Sequence, residues 1–440
     1  MQRRNLKVDM IKDKLNNLKN NHLGKSFIVL LFGSGFGSAL SLINLTIMIN
    51  IIGIKENGTI LMIQAYIGLF TGIFSFKSFE ALIKYLTVTI HNNDIQKTKE
   101  YIKFSFILDI ISVIFAFIFS YVLMGIIFKM MGWPIYLKPY ICLYIIAILF
   151  TGTGTATGII RVYDRFNDMV RINVVIVFIK FIFYLVAFFM KFKFEYFFAV
   201  EFIFAIITNL SVIIQGLYVL KEKKILNFYK VKVKFDKEYF MFNVYSSLYT
   251  TLDIPVEQIT TFILNKYLGF SDVGVYNILT KIGGIILKIE GPLSQIIYPE
   301  MNKRIAKGEN EGAIELYRKL FKNIAITGSI FSLILILTYN FWMSIFIKDY
   351  MVYFLAFIIY LIFIVYTSSS RSIHDLFVAL GYVKLNVRII LIVNAIYLPL
   401  LFFMIINFHL NGVIVALLIQ ALLVIEIKKY ILKKNKYKKI

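Results

Sequence analysis

The sequence predicts an all-α, polytopic membrane protein of about twelve transmembrane helices, and three observations carry that prediction. First, 59% of its 440 residues are hydrophobic and only 17% are charged, with a mean hydropathy of +0.77. A soluble domain of this length keeps far more polar residues for its surface. Second, the apolar residues form continuous runs without alternation, which suits helices that satisfy their backbone internally and argues against a barrel. Third, the Lys and Arg residues fall in alternate loops between those runs.

A helix needs roughly 17–25 apolar residues to cross about 30 Å of hydrocarbon. Twelve runs qualify: 26–52, 58–76, 104–128, 139–160, 172–190, 195–220, 239–264, 272–299, 323–347, 350–370, 389–408 and 411–427. The 239–264 run is polar for a span and 411–427 is short. Of the 48 Lys and Arg residues, 38 lie in the two tails and alternate loops, and seven lie in the opposite loops. The positive-inside rule therefore puts both termini in the cytoplasm. It also accounts for the net charge of +23, which needs no nucleic acid to explain it. Trp133 and Trp342 fall near the external interface, where an aromatic belt would place them. Residues 6–18 carry Val8, Ile11, Leu15 and Leu18 on one helical face among lysines. That pattern fits a helix on the inner leaflet or a solvated tail.

The basic loop 221–238 divides the chain into six spans and six spans. The resulting units are a tail (1–25), a first half (26–220), a linker (221–238), a second half (239–427) and a basic tail (428–440). Sliding the halves by 216 residues pairs Gly53 with Gly269, Gly58 with Gly274 and Gly68 with Gly284. It also superimposes the span lengths. A parallel repeat about an axis along the membrane normal is a transporter plan.

Ionisable residues inside spans are costly and mark functional candidates. Span 7 places Asn243, Ser247, Thr250, Asp253 and Glu257 along one face. Span 8 places Asn277, Lys281, Lys288 and Gln295 in a stripe. Glu257 and Lys281 lie at comparable depths, within reach of pairing. Two such stripes line a water-filled cavity or glue two helices together. Spare lysines in a cavity attract an anion such as phosphate, and a carboxylate beside them binds or releases a coupling cation. Lys180 and Glu201 form a second candidate pair, structural or functional. Asp109, near the cytoplasmic end of span 3, reads as an interfacial or capping carboxylate.

Other chemistry is not supported. Gly24-Lys25-Ser26 lacks the upstream glycine of a P-loop. The four histidines are scattered, no metal-ligand cluster appears, and the lone Cys142 allows no internal disulfide. No external loop exceeds about ten residues, which disfavours an enzyme acting at the outer face. A transporter is the better reading.

Several short motifs resemble a bacterial polysaccharide flippase of the O-antigen or capsule type. They are Phe76-Lys77-Ser78-Phe79-Glu80-Ala81-Leu82-Ile83-Lys84-Tyr85, Gly132-Trp133-Pro134 and Gly158-Ile159-Ile160-Arg161-Val162-Tyr163-Asp164-Arg165-Phe166. Gly269-Phe270-Ser271-Asp272-Val273-Gly274-Val275-Tyr276, Tyr298-Pro299-Glu300 and Ala306-Lys307-Gly308-Glu309 complete the set. Such proteins belong to the multidrug/oligosaccharidyl-lipid/polysaccharide exporter superfamily.

The resemblance implies two six-helix lobes around a central cavity, alternating access, and a place in the bacterial cell membrane. The implied substrate is an undecaprenyl-diphosphate-linked oligosaccharide, moved to the outer leaflet for surface polysaccharide synthesis. A polysaccharide polymerase is an implied partner, and Na+ or H+ an implied coupling ion with no other cofactor. Under this reading Lys281 and Lys288, with Asn277 and Gln295, hold the diphosphate. Asp253 and Glu257 serve cation coupling or sugar contact. Arg161, Asp164 and Arg165 form a cytoplasmic gate, or simply anchor that turn through local ion pairs. The rivals are a cation-coupled multidrug exporter of the same superfamily and an integral-membrane polysaccharide polymerase or ligase.

Overall fold

The computed structural model describes residues 22–435 apart from 75, 77, 252, 253 and 307. Side chains are not described for 22–34, 245, 248–251, 254, 255, 257, 286–300, 302, 303, 306, 378, 383 and 435. Among the described residues every regular element is helical. The first half runs α1 (His22–Ile52), α2 (Ile54–Phe74), α3 (Ser78–His91), α4 (Ile95–Met131), α5 (Lys138–Ile145), α6 (Gly154–Val162), α7 (Phe166–Met190) and α8 (Phe194–Glu222). The second runs α9 (Lys237–Thr251), α10 (Ile254–Leu268), α11 (Phe270–Ala306), α12 (Asn310–Leu337), α13 (Tyr339–Phe346), α14 (Phe354–Ser370), α15 (Ser372–Ala379) and α16 (Val383–Asn435).

Nine segments of the described chain are long and apolar enough to cross a membrane. The longest, Lys384–Lys434, contains two predicted passes and kinks at His409, whose φ of 52° breaks the helical path. The two remaining predicted runs are the polar ones: 239–264 falls on α9 and α10, and 272–299 falls on α11. The bilayer side is plain on α4, where Ile110, Ile114, Ile118, Val122 and Ile126 form an exposed apolar row at intervals of four.

Three segments expected to be loops are largely helical. α3 lies in the 77–103 loop, α15 in 371–388, and α11 and α12 extend into 300–322. Each buries a short apolar face that is too brief to read as a span. Ala81, Leu82 and Leu86 of α3 are fully buried against α4 and α6, and Ile373, Leu376 and Phe377 of α15 against α11 and α16. Span 4 is not one helix either. α5 tightens to a 3-10 turn at Ile146–Phe150, leaves helical geometry over 151–153, and resumes as α6.

The 216-residue offset has a structural counterpart. Gly53 and Gly269 both take a left-handed backbone, at φ 89° and 91°, to turn α1 into α2 and α10 into α11. Five residues on, the two halves touch. A Cβ on Gly58 would sit 1.8 Å from the Phe270 carbonyl oxygen, and one on Gly274 would sit 2.5 Å from that of Ile54. Ile54 and Phe270 are themselves 216 residues apart. The contact thus repeats with its roles exchanged, as a two-fold relation requires. Lipid tails are as apolar as leucine, so such helices associate through close backbone packing rather than through burial alone.

Candidate functional site

A polar cavity of about 180 Å³ lies between α1, α2, α7, α8 and α11, where the first half meets the second. Each helix supplies a stripe at helical spacing. α1 presents Ser41 and Asn44, α2 presents Asn57 and Gln64, α7 presents Lys180 and Tyr184, and α11 presents Asn277 and Lys281. α8 adds Glu201.

The charged groups are organised by hydrogen bonds. Lys180 Nζ lies 2.7 Å from Glu201 Oε1, which also accepts from the Tyr184 hydroxyl at 2.5 Å. Glu201 Oε2 accepts from Gln64 Nε2 at 3.0 Å. A carboxylate with three donors is a stable anion even when only 15% exposed. Lys281 reaches across the halves and donates to Ser41 Oγ at 3.1 Å. One turn away Asn277 Nδ2 approaches Asn57 Oδ1 at 3.5 Å. Asn44 Oδ1 and Asn57 Nδ2 are buried in the same wall without a hydrogen-bond partner. Buried polar atoms of this kind call for a ligand or water. Among its described residues the lining carries two lysines and one carboxylate.

The sequence pairs Lys180 with Glu201, and the structure joins them. Asn277 and Lys281 stand together in the cavity, and among the described residues the wall opposite them comes from α1 and α2. The described members of the span-7 stripe turn inward instead. Asn243 Nδ2 donates to the Tyr239 carbonyl at 2.9 Å and Ser247 Oγ to that of Asn243 at 2.7 Å, both within α9. Asp253 lies outside the described residues, and the side chains of Glu257, Lys288 and Gln295 lie outside the described side chains. Ser41, Asn44, Asn57 and Gln64 were not anticipated. Their signal was amides and a hydroxyl inside apolar spans, which sequence alone does not separate from helix-packing groups.

Arg161, Asp164 and Arg165 do not bridge the halves through any described contact. Arg165 pairs with Glu222 and, at 3.2 Å, with Asp168, while Arg161 stacks on Phe79 and Phe166. Asp164 supplies the left-handed turn between α6 and α7, at φ 55°. The cross-half contacts on this side come from the adjacent α3 and from α4, whose Ser105 hydrogen-bonds the Tyr239 hydroxyl of α9. Glu80 accepts from Ser246 of α9, and the Lys84 ammonium lies 4.4 Å from the Phe242 ring centroid. On the opposite side Trp133 is not a belt residue. It is 5% exposed and donates to Asn265 Oδ1 of α10 at 2.8 Å, beside the glycine contact. Trp342 is 38% exposed, as a belt residue is. Asp109 caps: it accepts from the Thr155 backbone N–H at 2.7 Å, at the start of α6, and from Ser78 Oγ at 2.6 Å, at the start of α3.

No protein-family model matches the chain, and no curated protein matches it. Solved structures match over almost its whole length. An inward-facing multidrug resistance transporter of the MATE family, in the MOP superfamily, aligns with a TM-score of 0.69 and 13% identity, over 94% of this chain and 96% of that one. The chain has the MATE transporter fold. An outward-facing multidrug resistance MATE transporter gives 0.65 at 14% identity, over 97% and 99% of the two chains. A eukaryotic MATE transporter gives 0.65 at 11%, over 93% and 95%. At such identities the likeness is one of fold, and it agrees with the superfamily suggested by the sequence motifs. Within the MATE fold the Lys180, Glu201 and Lys281 cavity sits between the two halves of the chain.

Proposed function

We propose that this chain is an alternating-access membrane transporter that moves an undecaprenyl-diphosphate-linked oligosaccharide from the cytoplasmic to the outer leaflet of a bacterial cell membrane. It is not an enzyme in this reading. The observation that carries it is the cavity between the halves, where Lys180 and Lys281 outnumber Glu201. A sugar-diphosphate headgroup cannot cross hydrocarbon alone, because each unsatisfied polar group costs several kcal/mol. Lysines, amides and hydroxyls at the junction of two lobes, 26–220 and 239–427, offer it partners.

In this proposal Lys281, with Asn277, takes the diphosphate, and Lys288 and Gln295 extend the track along α11. Glu201 holds Lys180 in place while the cavity is empty. An incoming phosphate oxygen competes for that ammonium, while Tyr184 and Gln64 go on donating to Glu201, so no buried charge is stranded. Asp253 and Glu257 are proposed for coupling to Na+ or H+. Entry and exit follow the making and breaking of the α3–α9 contact on one side and the Gly58–Gly274 contact on the other.

A second reading is multidrug export, which the names of the similar solved structures favour. The cavity disfavours a cationic drug: two like charges at 4 Å repel by about 4 kcal/mol at an effective dielectric of 20. Disrupting the gene separates the two. Loss of surface polysaccharide with unchanged drug susceptibility supports the flippase, and the reverse pattern supports drug export.

A further inference from the structure

We propose that the groove between α12 and the end of α16 binds the phosphate headgroup of an anionic phospholipid. The groove has a volume of about 450 Å³ and lies apart from the central cavity. It carries three cations, Arg318, Lys429 and Lys433, set against Tyr317, Phe321 and Leu432. Lys429 is already engaged: its ammonium lies 2.8 Å from Glu426 and 4.8 Å from the Phe321 ring centroid. Arg318 and Lys433 enter no described ion pair. One carboxylate among three cations leaves the groove with two positive charges to spare.

The independent pointer to a ligand is Tyr317. It is 6% exposed and lines the groove, and its hydroxyl has no hydrogen-bond partner. A buried donor is rarely left unmade, because desolvating it costs about 1–3 kcal/mol. The hydroxyl is closed off from the groove in this conformation, and a phosphate held between Arg318 and Lys433 gives it an acceptor when the side chains over it move aside. The helix that bears the groove also meets the bilayer. Further along α12, Ile326, Ile330, Leu333 and Leu337 are all exposed, spaced i, i+4, i+7 and i+11. That row marks a bilayer-facing side of α12, on a different face from the groove, so the helix that carries the basic end also meets lipid. The groove lies at helix ends that the Lys and Arg distribution assigns to the cytoplasm, where anionic lipids meet basic pockets between transmembrane helices.

The test uses the full-length protein in detergent, titrated with phosphatidylglycerol, phosphatidylcholine or inorganic phosphate. Lipid adducts are read by native mass spectrometry and stability by the melting midpoint. We expect phosphatidylglycerol to bind at least tenfold more tightly than phosphatidylcholine and to raise the midpoint, with no effect of inorganic phosphate. The Arg318→Gln/Lys433→Gln double variant should lose about thirtyfold in phosphatidylglycerol affinity, since each basic group near the surface contributes roughly 1 kcal/mol. Tyr317→Phe, which keeps the ring, should lose roughly threefold, as removal of one such hydrogen bond does. A Lys221→Gln/Lys223→Gln control removes the same charge from the first half and should lose nothing. Equal losses in the control would reduce the effect to general charge and overturn the site. So would equal binding of the two lipids, full affinity in Tyr317→Phe, or stabilisation by inorganic phosphate alone.

Discussion

Replacing Lys180 with methionine removes the ammonium 2.7 Å from Glu201 while keeping most of the side chain's apolar bulk. Glu201 then retains the Tyr184 hydroxyl at 2.5 Å and Gln64 Nε2 at 3.0 Å, with Lys281 of the same cavity as the more distant countercharge. Removing one partner of a buried pair costs about 3–5 kcal/mol. The two side chains are 22% and 15% exposed, so the lower end applies. A loss of about 3 kcal/mol lowers the melting midpoint by roughly 3–6 °C in a chain of this size. Glu201→Gln alone strands Lys180 and should cost a similar amount. The Lys180→Met/Glu201→Gln double variant strands neither charge, and the new amide can still meet Tyr184 and Gln64. It should recover to within about 1 kcal/mol of the parent. The assay is a thermal melt of purified protein alongside surface-polysaccharide export in a strain carrying each variant. Stability should return in the double variant and export should not, because Lys180 is also a proposed phosphate ligand. Full export by the double variant would reduce the pair to a structural role. Equal stability in all four proteins would refute the buried-pair argument itself.

Gly58→Ala and Gly274→Ala each drive a Cβ into a backbone carbonyl across the halves, at 1.8 and 2.5 Å. Each should therefore raise the reactivity of a cysteine placed at position 277 toward externally added, water-soluble thiol reagents. Unchanged protection would show that this contact does not hold the halves together. Asp109→Ala leaves the Thr155 N–H and the Ser78 hydroxyl without their shared acceptor and should cost about 2–4 kcal/mol. Asp109→Asn keeps one acceptor oxygen and should cost about half as much. Thermal melts that rank the two variants the other way would remove the capping role.

The membrane architecture was legible because the bilayer imposes it locally. An apolar run must be long enough to cross, and its flanking charges must favour one side. Each of the twelve runs can therefore be read without knowing its neighbours. The Lys180–Glu201 pair was legible for a related reason: two opposite charges within consecutive spans leave few alternatives. What escaped depends on long-range packing. Nothing in the periodicity of α11 shows that Lys281 meets Ser41, 240 residues earlier in the chain. The same holds for Trp133, whose amphipathic ring fits a membrane interface as well as it fits Asn265. α3 and α15 were missed because helices of 14 and 8 residues bury only a short face, which resembles a loop once spans are sought by length. The Glu80 and Lys84 contacts with α9 went unassigned for the same reason.

The central claim is that the cavity carries an anionic lipid-linked headgroup, with Lys281 as a ligand. Its most direct test is reconstitution into liposomes with an undecaprenyl-diphosphate-linked oligosaccharide, following the headgroup's arrival in the opposite leaflet with an impermeant sugar-binding protein. The account predicts transport by the parent protein, little by Lys281→Ala, and partial transport by Lys281→Arg, which keeps the charge and its donors. Undiminished transport by Lys281→Ala would contradict it, as would movement of an organic cation but not of the lipid-linked sugar by the parent protein.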